Sequence, residues 1–297
     1  MKRYSTSRRL LLWIVAIVGL SGSLFEAEGA GKGGGSPFFV LSNGVEDAKH
    51  ATPEAQAAVL KELGYDGIGP SGTMRIPEML QALDAQGLKM SALYVGANLD
   101  PDQPKYEPGL PEAIQQLKGR ETFIWLYVRS AKHKPSSEDG DPRAVEIIRE
   151  IAAMAEQSGL RVALYPHTWF YVQRVEDAVR LAKKVDRKNV GVTFNLCHWL
   201  KLDEPKNMRP LLELARPHLF VVTINGADAG GKDWGQLIQT LDRGTFDVAG
   251  FLATLRAMHF TGPIGLQCYG IKGEKYENLN RSMEAWKKLS VAWESKD

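Results

Sequence analysis

From Pro37 onward the chain alternates between short apolar runs and longer segments in which apolar residues recur every three or four positions. The short runs are PFFVLSNGV, YDGIGP, KMSALYVGA, TFIWLYVRS, RVALYPH, VGVTFNLCH, LFVVTING and PIGLQCYG. Most are continuous rather than alternating, the pattern of strands buried on both faces. The periodic segments lie at 53–63, 75–86, 111–118, 142–157, 174–184, 207–214, 248–258 and 276–292 and predict amphipathic helices. Gly64, Gly87 and Gly159 each stand just before a strand, where a helix can end in a left-handed residue. Pro53, Pro111 and Pro142 stand in first turns, where a missing N–H costs nothing.

Eight such units over about 260 residues predict an α/β fold of the (β/α)8 TIM-barrel type. A doubly wound open sheet is the alternative, and it binds phosphates at a glycine-rich turn after its first strand. The corresponding stretch here, SNGVEDAKH, holds no G-x-G-x-x-G, so the barrel is preferred. A single domain is expected over 37–297.

The segment before it has another character. A basic start followed by the apolar run Leu10–Leu20 predicts a signal peptide over 1–29, and that run is short for a membrane span. Ala27 and Gly29 offer a cleavage pattern, as do Ser21 and Ser23, and the paired Arg8 and Arg9 resemble a twin-arginine signal. Residues 30–36 form a glycine-rich tether. The expected location is therefore periplasmic or extracellular, with contact to a membrane only if the segment is an uncleaved anchor.

Charge narrows the partners. The net charge of +2 comes from residues 1–29, because the remaining chain carries 33 basic and 33 acidic residues. A neutral body argues against nucleic acid as a partner. Cys197 and Cys268 are too few for a disulfide framework and read as small buried strand residues.

In a barrel of this kind, functional groups stand where strands end and βα-loops begin. Those ends supply Asn43, Pro70, Asn98, Arg129, Tyr165 with His167, Asn195 with His198, Thr223 with Asn225, and Gln267 with Tyr269. Asn195 and His198 differ in strand parity, so the strand must turn into loop between them for both to reach the mouth. Any one strand-end Asn can simply tie down a loop; polar groups on nearly every strand predict a binding site. Trp169 and Trp199, each just after a histidine, suit stacking on a sugar, or else pack beneath their loops.

The stretches LYPHTWFYVQRVEDAVRLAKKVDRKNVGVTFNLCHWL, LFVVTINGAD and GPIGLQCYG, in that order, resemble the xylose-isomerase-like TIM barrels known as sugar phosphate isomerases/epimerases. The resemblance covers roughly residues 142–292. It implies a divalent metal held by carboxylates and a histidine at the ends of strands five to eight. By position those ligands fall on Tyr165, Asn195, Thr223 and Gln267, none of which is a carboxylate or an imidazole. The substrate-contacting histidines of the family are kept as His167 and His198. Hard divalent cations need anionic oxygens. No cofactor is therefore expected, and Mn or Zn would require a site rebuilt around His167 or His198 with Asp228 or Glu274.

The resulting expectation is an exported protein that moves a proton on a small sugar or glycoside without the family's metal, with His167 and His198 as acid and base. Tyr165, Trp169, Asn195, Trp199, Thr223, Asn225, Gln267, Tyr269 and Arg129 are the expected substrate contacts. A non-catalytic carbohydrate-binding relative is the alternative. A DNA-cleaving zinc barrel is disfavoured by ligand count, charge and the export signal.

Overall fold

The computed structural model describes residues 36–294, together with Met1. The expected signal segment and tether therefore lie, but for Met1 and Ser36, outside the described residues. One compact unit runs from Gly34 to Asp297.

The described residues form nine parallel strands: β1 Phe38–Leu41, β2 Gly67–Gly69, β3 Lys89–Met90, β4 Ala92–Asn98, β5 Phe123–Arg129, β6 Arg161–Leu164, β7 Val190–Asn195, β8 Leu219–Ile224 and β9 Ile264–Leu266. Their order is β3-β2-β1-β9-β8-β7-β6-β5-β4. The two ends of this sheet are consecutive in the chain and separated only by Ser91. The N–H of Ser91 donates to Ile68 (2.8 Å), that of Tyr94 to Pro70 (2.8 Å), and that of Phe123 to Ser91 (3.1 Å). Residues 89–98 thus act as one strand with a break, which joins both edges and closes the barrel. Eight β–α units and nine strands describe the same object.

The helices are α1 Pro53–Leu63, α2 Ile76–Gln86, α3 Leu110–Gln116, α4 Asp141–Gln157, α5 Val175–Val185, α6 Leu196–Leu202, α7 Met208–Ala215, α8 Trp234–Leu237, α9 Val248–Ala257 and α10 Lys275–Glu294. The hydroxyl of Thr52 caps α1 by accepting from the Ala55 N–H, and Gly64 ends that helix at φ 92°. Two helices depart from the sequence expectation. Helix α6 starts where β7 ends, so Asn195 passes into a helix rather than a loop, and Cys197 is a helical residue rather than a strand residue. The apolar run VGVTFNLCHWL continues through that junction, and composition alone cannot divide it. Helix α8 is a single turn held by a capping box between Asp233 and Gln236, too short to show a period.

Rings fill the barrel lumen. Phe39, Leu41, Ala92, Phe123, Trp125, Ala163, Tyr165 and Val221 form a core separate from the one under the helices, with Tyr94, Tyr127 and Phe220 against it. At the entry end of the strands the Arg161 guanidinium lies 4.4 Å from the Phe123 ring centre and 5.0 Å from that of Phe220. Above them, Trp125 donates its indole N–H to Thr193 (2.6 Å) and meets Tyr165 edge-on at 4.8 Å. Phe39 fits because its neighbours are bare backbone: a Cβ on Gly265 would fall 2.7 Å from its ring, and one on Gly69 would fall 3.2 Å from it. Phe39 is fully buried and has nowhere to move. Gly265→Ala is accordingly expected to destabilise the fold by about 1–3 kcal/mol, the usual cost of overpacking, measured as a lower midpoint in urea unfolding.

Candidate active site

A cavity of about 520 Å³ opens at the C-terminal ends of the strands. Tyr94, Tyr165 and Gln267 line its depth, His167 and His198 one side, and Trp169, Trp234 and Tyr269 its rim, with Asn43 and Ser71 also reaching it. These positions follow from the fold: Tyr165 and His167 share a face just beyond β6, and His198 lies one turn into α6.

One residue arranges the two histidines. Nδ1 of His167 donates to the Thr168 carbonyl (2.9 Å), while the Thr168 backbone N–H donates to Nδ1 of His198 (3.3 Å). The Thr168 hydroxyl is also 3.1 Å from Nδ1 of His198. A carbonyl can only accept and an amide N–H can only donate, so the tautomers are opposite. Neutral His167 carries its proton on Nδ1 and an acceptor at Nε2; neutral His198 carries its proton on Nε2. Their ring centres are 4.0 Å apart, and Phe170 stacks on His167 at 4.0 Å. Burial pushes both pKa values below the ordinary histidine value, and His198 well below it, helped by the neighbouring His167. Next to this pair Trp169 takes a left-handed backbone (φ 72°) with its side chain exposed, edge-on to Trp234 at 5.8 Å.

Deeper in, Tyr165 is 1% exposed. Its hydroxyl oxygen accepts from Nδ2 of Asn195 and from Nε2 of Gln267 (3.2 Å). Both amides are themselves oriented. Oε1 of Gln267 accepts the Tyr269 N–H (3.1 Å), and Oδ1 of Asn195 accepts from the Cys197 thiol (3.2 Å). Burial holds the Tyr165 phenol far above its ordinary pKa, so it is neutral.

This cluster contains three of the four positions at which the resemblance implies a metal. The fourth, Thr223, pairs in register with Asn195, and its hydroxyl is buried without a partner. The donor set does not suit a divalent cation. Both amides turn N–H groups, not oxygens, toward the phenol, and no anionic oxygen joins them. Asp228 accepts from Gln239 (3.0 Å), and Glu274 pairs with Lys49 at the surface (2.7 Å). Among the described residues, no group of three or more His, Cys, Asp or Glu side chains is placed to hold a metal.

Several expected contacts lie elsewhere. Trp199 is 5% exposed and packs against Phe194 and Phe246 in the core. The Asn225 amide donates to the carbonyls of Gly226 and Leu237 (both 2.7 Å) and ties β8 to α8. Thr223 and Arg129 are outside the cavity lining, Thr223 buried and Arg129 exposed. Sequence reasoning passed over Tyr94, Thr168 and Trp234. The aromatic after β8, inside the capping sequence DWGQ, was the available signal for Trp234. Thr168 works through its backbone and leaves no such signal.

The fold and the position of the site define a (β/α)8 barrel with its functional groups at the C-terminal face. The pattern of the xylose isomerase-like TIM barrel family matches residues 57–289, and the chain belongs to that family. Over 136 residues it is 29% identical to a 3-dehydroshikimate dehydratase from Pseudomonas aeruginosa; the match covers 44% of this chain and only 21% of that protein. Among solved structures it is similar to a 3-keto-D-glucoside 4-epimerase from E. coli, with TM-score 0.68, 21% identity, and 86% and 99% of the two chains covered. It is also similar to a D-psicose 3-epimerase from Clostridium cellulolyticum H10 crystallised with D-tagatose, with TM-score 0.65, 14% identity, and 87% and 100% covered.

The two histidines carry a pH signature. Their pKa values in the fold lie below 6.5, the value expected on unfolding, so between those limits the unfolded chain binds more protons. Stability should be fully present above pH 6.5 and fall as the pH drops below it. Urea unfolding at pH 7.5 and pH 5 measures this, and His198→Asn should flatten the difference.

Proposed function

We propose that this barrel is an exported isomerase or epimerase that moves a proton on a neutral sugar or oxidised sugar with no resident metal. The observation that carries the reading is Thr168, whose carbonyl and N–H hold two adjacent histidines in opposite tautomers. Nε2 of His167 is the base. It takes the proton from a carbon next to a carbonyl, the C–H electron pair becomes the C=C bond of an enediolate, and the carbonyl π pair moves onto oxygen. The Nε2–H of His198 is the acid that meets the developing charge. Return of the proton to the opposite face of the same carbon, with the oxygen pair re-forming the C=O, gives an epimer; for an isomer the neighbouring hydroxyl proton first passes to that oxygen, and His167 then returns its proton to the former carbonyl carbon.

The cavity supports a sugar in other ways. Its volume lies within the range of small-molecule sites, about 300–1,000 Å³. Trp169, Trp234 and Tyr269 provide faces for the C–H side of a pyranose, while Asn43, Ser71 and Gln267 provide polar groups for its hydroxyls. The lining is uncharged, which suits a free sugar better than a phosphorylated one, in keeping with the export signal expected over 1–29. The names of the two structural relatives, both sugar epimerases, point the same way.

A second reading, a carbohydrate-binding relative without turnover, is favoured by the replacement of all four metal positions. Proton exchange decides between them. Incubated with free and oxidised hexoses in D2O, the protein should wash deuterium into a carbon-bound position seen by NMR. His167→Ala should lower that rate about 10²–10⁴-fold while leaving sugar binding measurable by calorimetry. Binding without exchange in the wild-type protein would establish the second reading. Elemental analysis after incubation with Mn, Zn and Co and removal of the excess should find no tightly held ion; one ion per chain would sink the metal-free mechanism.

A further inference from the structure

Residues 165–174, between β6 and α5, form a loop with a fixed stem and a projecting tip. The tip is closed on itself: the His167 N–H donates to the Val172 carbonyl and the Phe170 N–H to that of His167 (both 2.9 Å). The bond from Nδ1 of His167 to the Thr168 carbonyl lies within the same turn. Among the described residues, every hydrogen bond that residues 167–170 make beyond their own loop goes to His198. The histidine pair is therefore split between two bodies. His167 travels with the loop, His198 with α6, and the Thr168 N–H joins them across 3.3 Å. That bond is near the limit of a hydrogen bond, so a loop displaced by about a few tenths of an ångström would lose it.

What holds the stem is remote from the cavity. The hydroxyl of Tyr171, a fully buried residue, donates to Oδ1 of Asp141 at the start of α4 (2.5 Å). The N–H groups of Gln173 and Arg174 donate to Oδ2 of Asp177 (3.2 and 2.9 Å). The Ser136 hydroxyl donates to the same oxygen (2.6 Å), and the Ser136 N–H to the Tyr171 carbonyl (3.0 Å). Arg180 on α5 bridges the two carboxylates, with Nε donating to Asp141 and Nη1 to Asp177, each at 2.9 Å. Its Nη2 reaches the Ser137 carbonyl (3.2 Å). Burial alone would raise the Asp141 pKa, but the bonds from Arg180, Lys184 and Tyr171 hold it below the ordinary value, so it is charged. Capping α5 needs only the Asp177 contacts to Gln173 and Arg174; the others tie the loop to α4 and to residues 130–140.

We infer that Arg180 is a positioning residue for this site: by bridging Asp141 and Asp177 it fixes the stem of loop 165–174 and so keeps Thr168 within bonding distance of His198. Arginine suits the place because one planar fork with several donors reaches two carboxylates at once, which a single ammonium does not. The bond from His167 to Thr168 needs no such bridge, being internal to the loop. Loosening the stem therefore acts unequally: the contact between Thr168 and His198 is lost while the tautomer of His167 stays. Only the kinetic part of the inference rests on the proposed proton transfer, in which the acid would then drift from the base.

The test is Arg180→Lys in the full chain, which keeps the charge and removes the fork. Amide exchange followed by NMR should show the Thr168 N–H losing protection by about tenfold relative to the amides of β7, the weight of one hydrogen bond. The ring 15N shifts of His167 should still report a proton on Nδ1. In the sugar exchange assay kcat should fall about 10–10²-fold with KM near the wild-type value, the order expected for a reacting group displaced by up to about 1 Å. Tyr171→Phe cuts one tie and leaves both carboxylates paired with Arg180. It should move each quantity the same way by less, and it serves if Arg180→Lys does not fold. Folded variants in which Thr168 keeps its protection overturn the assignment. So does an equal loss of protection at Thr168 and in β7, which is a fall in global stability with no positioning in it. A wild-type chain without sugar exchange, whose Arg180→Lys variant selectively exposes Thr168, keeps the assignment and removes the proposed catalysis instead.

Discussion

The height of Tyr165 in the barrel governs what the mouth can do, and that height is set from below. Phe39 lies against the bare backbone of β2 and β9, Trp125 is pinned to Thr193, and the phenol stands on Trp125. The column is close-packed, so the phenol cannot sink. Its oxygen is thereby held between Asn195 and Gln267, two of the positions from which the family's pattern would send carboxylates to a cation. Replacing a carboxylate with a phenol does more than remove a charge. It fills the volume between the remaining partners and reverses the polarity that those partners present.

The histidine pair obeys a similar constraint. Two imidazolium rings about 4 Å apart would repel by about 4 kcal/mol at an effective dielectric constant of 20, and burial disfavours even the first charge. A second proton on the pair is therefore disfavoured beyond the first. Thr168 breaks the symmetry between the rings by giving to one and receiving from the other. Without it, either ring could take either tautomer, and which Nε2 accepts and which donates would not be fixed before a ligand arrives. The backbone of a single residue thus does the orienting that a buried carboxylate performs in a Ser-His-Asp triad.

Much of this architecture was legible in the sequence. Continuous apolar runs bounded by Gly and Pro marked the eight units, because strands covered on both faces leave no alternation to misread. Strand parity put Tyr165 and His167 on one face, where the structure has them. What escaped was geometry finer than parity. On helix α6 successive side chains turn by about 100°, so His198 reaches the cavity while Trp199, one residue on, is driven into the core. Trp234 takes the aromatic place expected of Trp199, from a one-turn helix that no periodicity could reveal. Asn225 reads as a ligand in one dimension, yet its amide is spent on two carbonyls of its own loop. The break at Ser91 leaves no mark in composition.

In the proposed reaction, an imidazole N–H would exert less pull on the carbonyl than a divalent cation does. The deficit must be met by the substrate or by the surroundings. Low dielectric raises the value of each donor hydrogen bond, and fixed donors need no reorganisation as charge forms. The other contribution is a C–H that is already acidic, as it is beside the ketone of an oxidised sugar and is not in a glycoside with every carbon reduced. The cavity is uncharged and lined by rings, so under the proposed function it would hold such a molecule without competing charges.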